Sequence, residues 1–557
     1  MKKSILLMST LLCLSLTACS EKNGSNETKK SFDNTTTKTI ETGKIKGNKD
    51  KENNALEWLG VPYAKSPEGD LRWKSPVKPN KWKKTLDATK YGNKAIQFSN
   101  GKVEGSEDSL NLDVVRPDSN ESNLPIMVYI HGGNNQTGTS QEIKGNTFVN
   151  DIDAVYVSVN YRLGALGYNP LTALKHGSEE ENSGNFGLLD IALALDWVEE
   201  NAEAFGGDAK NITLTGFSAG GRDVMASLIS PQFKGKYQKA ISFSGGMTLA
   251  DSKNSQEIFA KAIAPLVVED KVKTSVEDAE KWLLEDTKEV SDYLYNLPAE
   301  RLAPLMGNAG IRMSVFPHLY KDGNVIPSTG FEGAEYNDVP LMLLTGTNEF
   351  SLFSAFDKKF TADFTSGELF KNPEKMKEFN YARQYGGQLY RLSNGVDSAR
   401  VMQDTYKSKI YIGEIGYGDS EKVTPELAKT LGAFHGIFEP MLQKPSNYKD
   451  FIGKSFETDG AKEMSSTFKA YLKNFLYSGN PNKDKLPEWK NWSNENSVLK
   501  IDASKNKAKI ETKKDSKTAQ DVIKKMDEDT SLSEEKKSEI NKTVLNGRWF
   551  SGPLDGE

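Results

Sequence analysis

Asn211-Ile212-Thr213-Leu214-Thr215-Gly216-Phe217-Ser218-Ala219-Gly220-Gly221 is the stretch on which the architecture of this 557-residue chain turns. Asn211 to Thr215 is a short β-branched and apolar run, the pattern of a buried strand. Arg222 to Ile229 places apolar residues at helical spacing. Between them, Gly216 to Gly220 fits G-x-S-x-G. Strand, tight turn, helix is the context in which that motif is a nucleophile elbow. A serine hydroxyl is a weak nucleophile at neutral pH and needs a base beside it. Small flanking residues let the strand and the helix approach closely. Glycine and serine are common, so the motif alone also fits a turn without chemistry. The rest of the chain has to supply a base, an acid and an oxyanion hole.

Outward from this stretch, elements alternate. Leu124–Ile130 and Val155–Val159 read as buried strands before it. Asn185 opens a long amphipathic helix through Leu193, Leu195, Trp197 and Val198, which Phe205-Gly206-Gly207-Asp208 terminates. After it come a strand at Ala240–Phe243 with a turn at Ser244-Gly245-Gly246, and a strand from Val339 to Leu344. Strands alternating with helices across short Gly-rich connections predict an α/β chain with a doubly wound, mainly parallel sheet. Thr39 to Gly47 reads as a small hairpin. Residues 252–310 and 355–430 read as helical insertions, the second forming a cap beside the site. Residues 503–557 are Lys-rich and read as a charged, partly helical extension. Within it Ser531-Leu532-Ser533-Glu534 fits a capping box and Asn546-Gly547 a helix stop.

Composition narrows the function classes. A net charge of −5 gives no reason to expect a nucleic-acid partner. The chain has two cysteines, Cys13 and Cys19, both near the start. The predicted folded part therefore has no disulfide, thiolate nucleophile or cysteine metal site. Neither a cofactor motif nor a metal-ligand cluster occurs in the pattern.

Three segments near the start carry a resemblance: Trp58-Leu59-Gly60-Val61-Pro62-Tyr63-Ala64, then Pro67-Glu68-Gly69-Asp70-Leu71-Arg72-Trp73, then Pro76, Trp82 and Asp87-Ala88-Thr89. Together they resemble the opening pattern of the type B carboxylesterases, the carboxylesterase/cholinesterase family of α/β-hydrolases. Glu107-Asp108-Ser109-Leu110-Asn111-Leu112 continues it, with Ser109 where many members have a cysteine. His131-Gly132-Gly133-Asn134 is similar to the family's H-G-G-G loop. Tyr477-Ser478-Gly479-Asn480-Pro481-Asn482 and Trp489 with Trp492 resemble the end of its domain. The resemblance spans residues 39–502. It implies an α/β-hydrolase fold with helical cap insertions, hydrolysis of small-molecule esters, and no cofactor.

Of four histidines, His435 stands in Gly432-Ala433-Phe434-His435-Gly436-Ile437-Phe438-Glu439, which resembles the family's histidine loop. A serine hydrolase needs such an imidazole as general base and then acid. His176 and His318 fit structural roles, and His131 fits one of shaping the glycine loop. The acid implied by the resemblance is Glu349, just past a strand in Thr345-Gly346-Thr347-Asn348-Glu349. The order Ser218, Glu349, His435 is the one expected of this fold. The oxyanion hole implied is the N–H groups of Gly133, Asn134 and Ala219. Three residues depart from the family pattern: Asn134 for its third glycine, Phe217 for its glutamate, and Phe350 for the glycine after the acid.

At the start, Lys2 and Lys3 precede an apolar stretch from Ile5 to Leu16, a secretion-signal pattern too short for an ordinary membrane span. Leu16-Thr17-Ala18-Cys19 resembles a bacterial lipoprotein signal, in which residues 1–18 are removed and Cys19 carries the lipid. Polar residues 19–38 read as a flexible tether. The expectation is an exported, lipid-anchored carboxylic-ester hydrolase. The alternative is a weak or inactive cholinesterase-like binding protein, and amides, carbamates or lactones are further substrate classes. The pattern leaves the oligomeric state open.

Overall fold

The apolar runs around the elbow pair into an eleven-stranded sheet. The computed structural model describes residues 31–555 except Asn308, Asp484 and Asn494. The candidate lipidation residue Cys19 and the leader lie outside the described residues. The strands are β1 (Asn48–Asp50), β2 (Ala55–Pro62), β3 (Asn111–Pro117), β4 (Leu124–Ile130), β5 (Val155–Val159) and β6 (Gly207–Phe217). They continue with β7 (Lys239–Phe243), β8 (Leu341–Gly346), β9 (Ile410–Ile415), β10 (Ser497–Ala503) and β11 (Ala508–Lys514). Their order across the sheet is β11-β10-β9-β8-β7-β6-β4-β5-β3-β2-β1. Neighbours from β10 through β5 are parallel, and both edges are antiparallel.

Every residue of β4, β5, β7, β8 and β9 is buried, as expected of parallel strands covered on both faces. Helices Phe186–Asn201, Ala219–Ser227 and Asp459–Ser478 pack against the middle strands. This is the α/β-hydrolase architecture that the alternation and the resemblance anticipate. β6 is the middle strand. It pairs with β4 on the side away from β5, so the chain changes direction across the sheet there. In open α/β sheets the crevice outside the carboxyl ends of the strands at such a switch point is where ligands bind. The N-terminal motifs brace this core. Arg72 grips Glu107 with two hydrogen bonds of 2.7 and 2.6 Å, and Trp73 Nε1 donates to the Ala165 carbonyl.

Four boundaries differ from the sequence expectation. The folded body begins before residue 38. Phe32 is buried under the Arg116 guanidinium, 3.7 Å from its ring centroid, and a strand runs from Thr37 to Ile40. A single aromatic in a polar tract carries no periodicity, so the contact was invisible. Residues 355–430 are not all cap, because β9 lies among them as an interior strand of the sheet. Residues 503–557 are no appendage. β11 extends the sheet, and Trp549 and Phe550 are buried in the core. The last helix is capped by Ser533 rather than Ser531, and the reciprocal capping box belongs to Thr518 and Asp521.

Candidate active site

β6 ends in the elbow. Ser218 has φ 56° and ψ −116°, a strained geometry for a residue with a side chain. Its N–H bonds the Phe243 carbonyl at 2.8 Å, and the helix Ala219–Ser227 starts at the next residue. The flanking glycines are required by proximity. A Cβ on Gly216 would lie 2.2 Å from the Gly220 carbonyl oxygen, and one on Gly220 would lie 2.2 Å from that of Ile130. Ala219 is the first helical residue, so its N–H has no intrahelical acceptor.

β8 delivers Glu349, and the loop that follows β9 and its short helix delivers His435. His435 Nδ1 lies 2.5 Å from Glu349 Oε2, and both side chains are buried. The other carboxylate oxygen accepts from Ser244 Oγ at 2.6 Å, Thr345 Oγ1 at 2.9 Å and the Gly346 N–H at 2.6 Å. His435 Nε2 is buried without a hydrogen-bond partner among the described residues. The imidazole is enclosed by rings. Phe217, Phe353 and Tyr390 have centroids 4.8, 5.0 and 5.5 Å from it.

β4 delivers the glycine loop. Gly133 has φ +100°, and a Cβ there would meet the Thr137 carbonyl oxygen at 2.1 Å, so glycine is required. Asn134 has φ 59°, the left-handed region that asparagine tolerates better than most residues. Its Nδ2 donates to Gln136 Oε1 at 2.6 Å, and Gln136 Nε2 donates to the Met306 carbonyl at 2.8 Å. The side chain in place of the third glycine is thus tied to its own loop. His131 shapes that loop. Its ring stacks on Tyr161, its Nδ1 is 2.8 Å from the Gly132 carbonyl oxygen, and burial pushes its pKa down to about 4. His318 is buried against Arg222, and His176 sits at the surface beside Asp286.

Gly133, Asn134, Phe217, Ser218 and His435 line one cavity of about 340 Å³. The structure therefore gathers the serine, the histidine–glutamate pair and the glycine loop at the carboxyl edge of the sheet. Phe350 does not narrow this cavity. It is buried behind the site, 5.1 Å from Phe550. Sequence reading missed three contributors. Ser244 and Thr345 bind the Glu349 carboxylate, and Glu142 lines the cavity. Glu142 Oε2 accepts from Tyr129 Oη and the Gly132 N–H, and burial raises its carboxyl above the ordinary range. The turn at Ser244-Gly245-Gly246 after a strand was visible, but nothing marked its serine as a partner of a distant carboxylate.

A serine on a strand–helix elbow at the switch point of a mainly parallel sheet, lining one cavity with a histidine that is paired to a buried acid, defines the class of α/β-hydrolases. The sequence model of the carboxylesterase family matches residues 34–406. The chain belongs to that family and is a carboxylesterase. It is 29% identical to the para-nitrobenzyl esterase of Bacillus subtilis (strain 168) over 473 residues, which is 82% of this chain and 91% of that one. It is 28% identical to the medium-chain fatty acyl-CoA hydrolase precursor of Anas platyrhynchos over 522 residues, 84% of this chain and 88% of that one. Among solved structures, a PNB esterase superposes with a TM-score of 0.67 at 28% identity, covering 87% of this chain and 99% of that one.

Proposed function

We propose that this carboxylesterase works through an acyl-enzyme on Ser218, with His435 as base and Glu349 as acid. The observation that carries the reading is the His435 imidazole, held through Nδ1 by Glu349 at 2.5 Å while Nε2 stays unpaired in the cavity that Ser218 lines. In this mechanism Ser218 Oγ attacks the ester carbonyl as His435 Nε2 takes its proton. The Glu349 carboxylate fixes the tautomer and stabilises the imidazolium. Three donors to Oε1 keep the carboxylate in place and leave Oε2 for the histidine. The N–H groups of Gly133, Asn134 and Ala219 stabilise the tetrahedral oxyanion. His435 returns the proton to the leaving alcohol, and water, activated by the same imidazole, hydrolyses the acyl-enzyme. No metal or organic cofactor enters this chemistry.

The name of the Bacillus relative makes para-nitrobenzyl esters the first substrates to try. A fluorophosphonate probe should label the folded protein, and Ser218→Ala should abolish labelling and lower turnover by about 10⁴-fold or more. A folded wild-type protein that neither labels nor hydrolyses esters would sink the proposal. Matched ester and amide substrates separate an esterase from an amidase on the same site.

The proposal includes export and anchoring through a lipid on Cys19, supported by the leader pattern alone. Metabolic labelling with radioactive palmitate should mark the wild type and not Cys19→Ser, which should be released from membranes. Equal membrane retention without label would remove the anchor from the proposal.

A further inference from the structure

A second cavity of about 940 Å³ abuts the first, with Gly310, Leu352 and Phe353 in the walls of both. One side comes from the segment after Glu349, with Phe356, Asp357 and Lys358. The other comes from the C-terminal segment, with Lys542 and Arg548, and Arg312 stands among them. Four basic side chains therefore face one acidic one in a chain whose net charge is −5. The Asp357 carboxylate is already shared, 2.6 Å from Arg548 Nη2 and 3.8 Å from Arg312 Nη2. Lys358 and Lys542 are exposed and make no ion pair among the described residues. Phe356 is 53% exposed beside them, an apolar surface next to cations.

The inner cavity has the opposite character. Among the described residues, Glu142 is the one acidic side chain that lines it, and no lysine or arginine does. A permanent anionic group on a substrate would find lysine and arginine side chains outside and none inside. Leu352 and Phe353 give both cavities an apolar stretch of wall in common. Arg548 already donates to the Val544 and Gly310 carbonyls and to Asp357, and Arg312 to the Asn546, Thr543 and Val544 carbonyls, so Lys358 and Lys542 are the side chains that would meet a carboxylate, as point charges set in the field of the two arginines.

We propose that the outer cavity is a subsite for a carboxylate carried by the ester substrate, separated from the scissile carbonyl by an apolar spacer. This rests on the ester-hydrolase reading and names its substrate class: esters with an acid at the far end, with two of the four cations, Lys542 and Arg548, supplied by the C-terminal segment.

The test compares kcat/KM for mono-aryl esters of linear dicarboxylic acids with aryl esters of uncharged acids of equal length. A second series carries the acid on the alcohol. At low ionic strength the anionic ester should be preferred about tenfold in at least one series, with the ratio approaching one as salt screens the wall. The double variant Lys358→Glu/Lys542→Glu should bring the ratio below one, each protein serving as its own control for folding. A ratio at or below one in both series, with neutral esters still hydrolysed, overturns the subsite and leaves the ester reading standing. If the folded protein hydrolyses no ester, that reading fails. Calorimetry with the linear dicarboxylate alone then decides the subsite: binding weakened by the double variant supports it, and equal or absent binding overturns it.

Discussion

Asn134 is the residue on which the quality of the site turns. Its backbone has a φ of 59°, in the left-handed region that glycine adopts freely and asparagine tolerates. Its side chain adds bulk beside the candidate oxyanion hole. The hydrogen bond to Gln136, backed by the Met306 carbonyl, restrains that bulk. Removing the restraint should therefore harm the reaction. Gln136→Ala is expected to lower kcat about tenfold, the scale of about 1.4 kcal/mol on the barrier. Adding Asn134→Gly should recover it, since glycine has no side chain to stray. Steady-state kinetics of the two variants check this, and an unchanged kcat in Gln136→Ala would show that the restraint does not matter. Phe217 acts differently. Packed on His435, it makes the site apolar where the family pattern usually has a charge, and the buried carboxylate of the cavity comes instead from Glu142.

At the scale of elements, the C-terminal segment forms the wall behind the imidazole. Phe550 stacks on Tyr390 at 5.0 Å, and Tyr390 stacks on His435. Arg548 is buried, donates to Asp357 and lies 5.1 Å from the Phe350 ring centroid. Trp549 packs on the Arg222 guanidinium of the elbow helix, 3.9 Å from its ring centroid. A residue close to the end of the chain thus bears on a histidine far earlier in it. Phe550→Ala should cost about 3–5 kcal/mol of stability, the usual range for emptying a buried aromatic site. Chemical denaturation measures it. A loss below about 1 kcal/mol would mean that the segment only lies against the wall.

At the scale of the whole molecule, a buried acid joins the elbow to the glycine loop. Asp223 stands in the elbow helix and accepts from Asn135 Nδ2 at 2.9 Å, while Asn135 Oδ1 accepts from Tyr161 Oη. Burial is the main cause that lifts the Asp223 pKa to about 7; the Asn135 bond and the neighbouring Arg222 charge pull the other way. The folded state thus binds a proton that the unfolded chain releases near 3.8. The stability from this group is fully present below that lower value and is lost as pH rises through about 7. Asp223→Asn removes the titration, so its Tm relative to wild type should climb between about pH 4 and about pH 7 and level off above. A difference that stays flat across that range would exclude Asp223 as the titrating group.

The local sequence by itself determined the elbow, the strands that flank it and the alternation behind the parallel sheet. Each is a short-range pattern: a period, a turn residue, a glycine that a close approach requires. Resemblance supplied the order Ser218, Glu349, His435, and the structure brings those three residues to one edge. Only the tertiary structure decided how the site is furnished. Ser244 and Thr345 behind the carboxylate, Glu142 in the cavity, the Gln136 restraint on Asn134 and the Phe550 wall are contacts between residues that share no periodicity. β9 escaped notice because its six residues lie between helical stretches, and only pairing with β8 and β10 identifies it as an interior strand. Local patterns record what each segment buries. Which segments meet depends on strand order and packing, and those are properties of the folded chain.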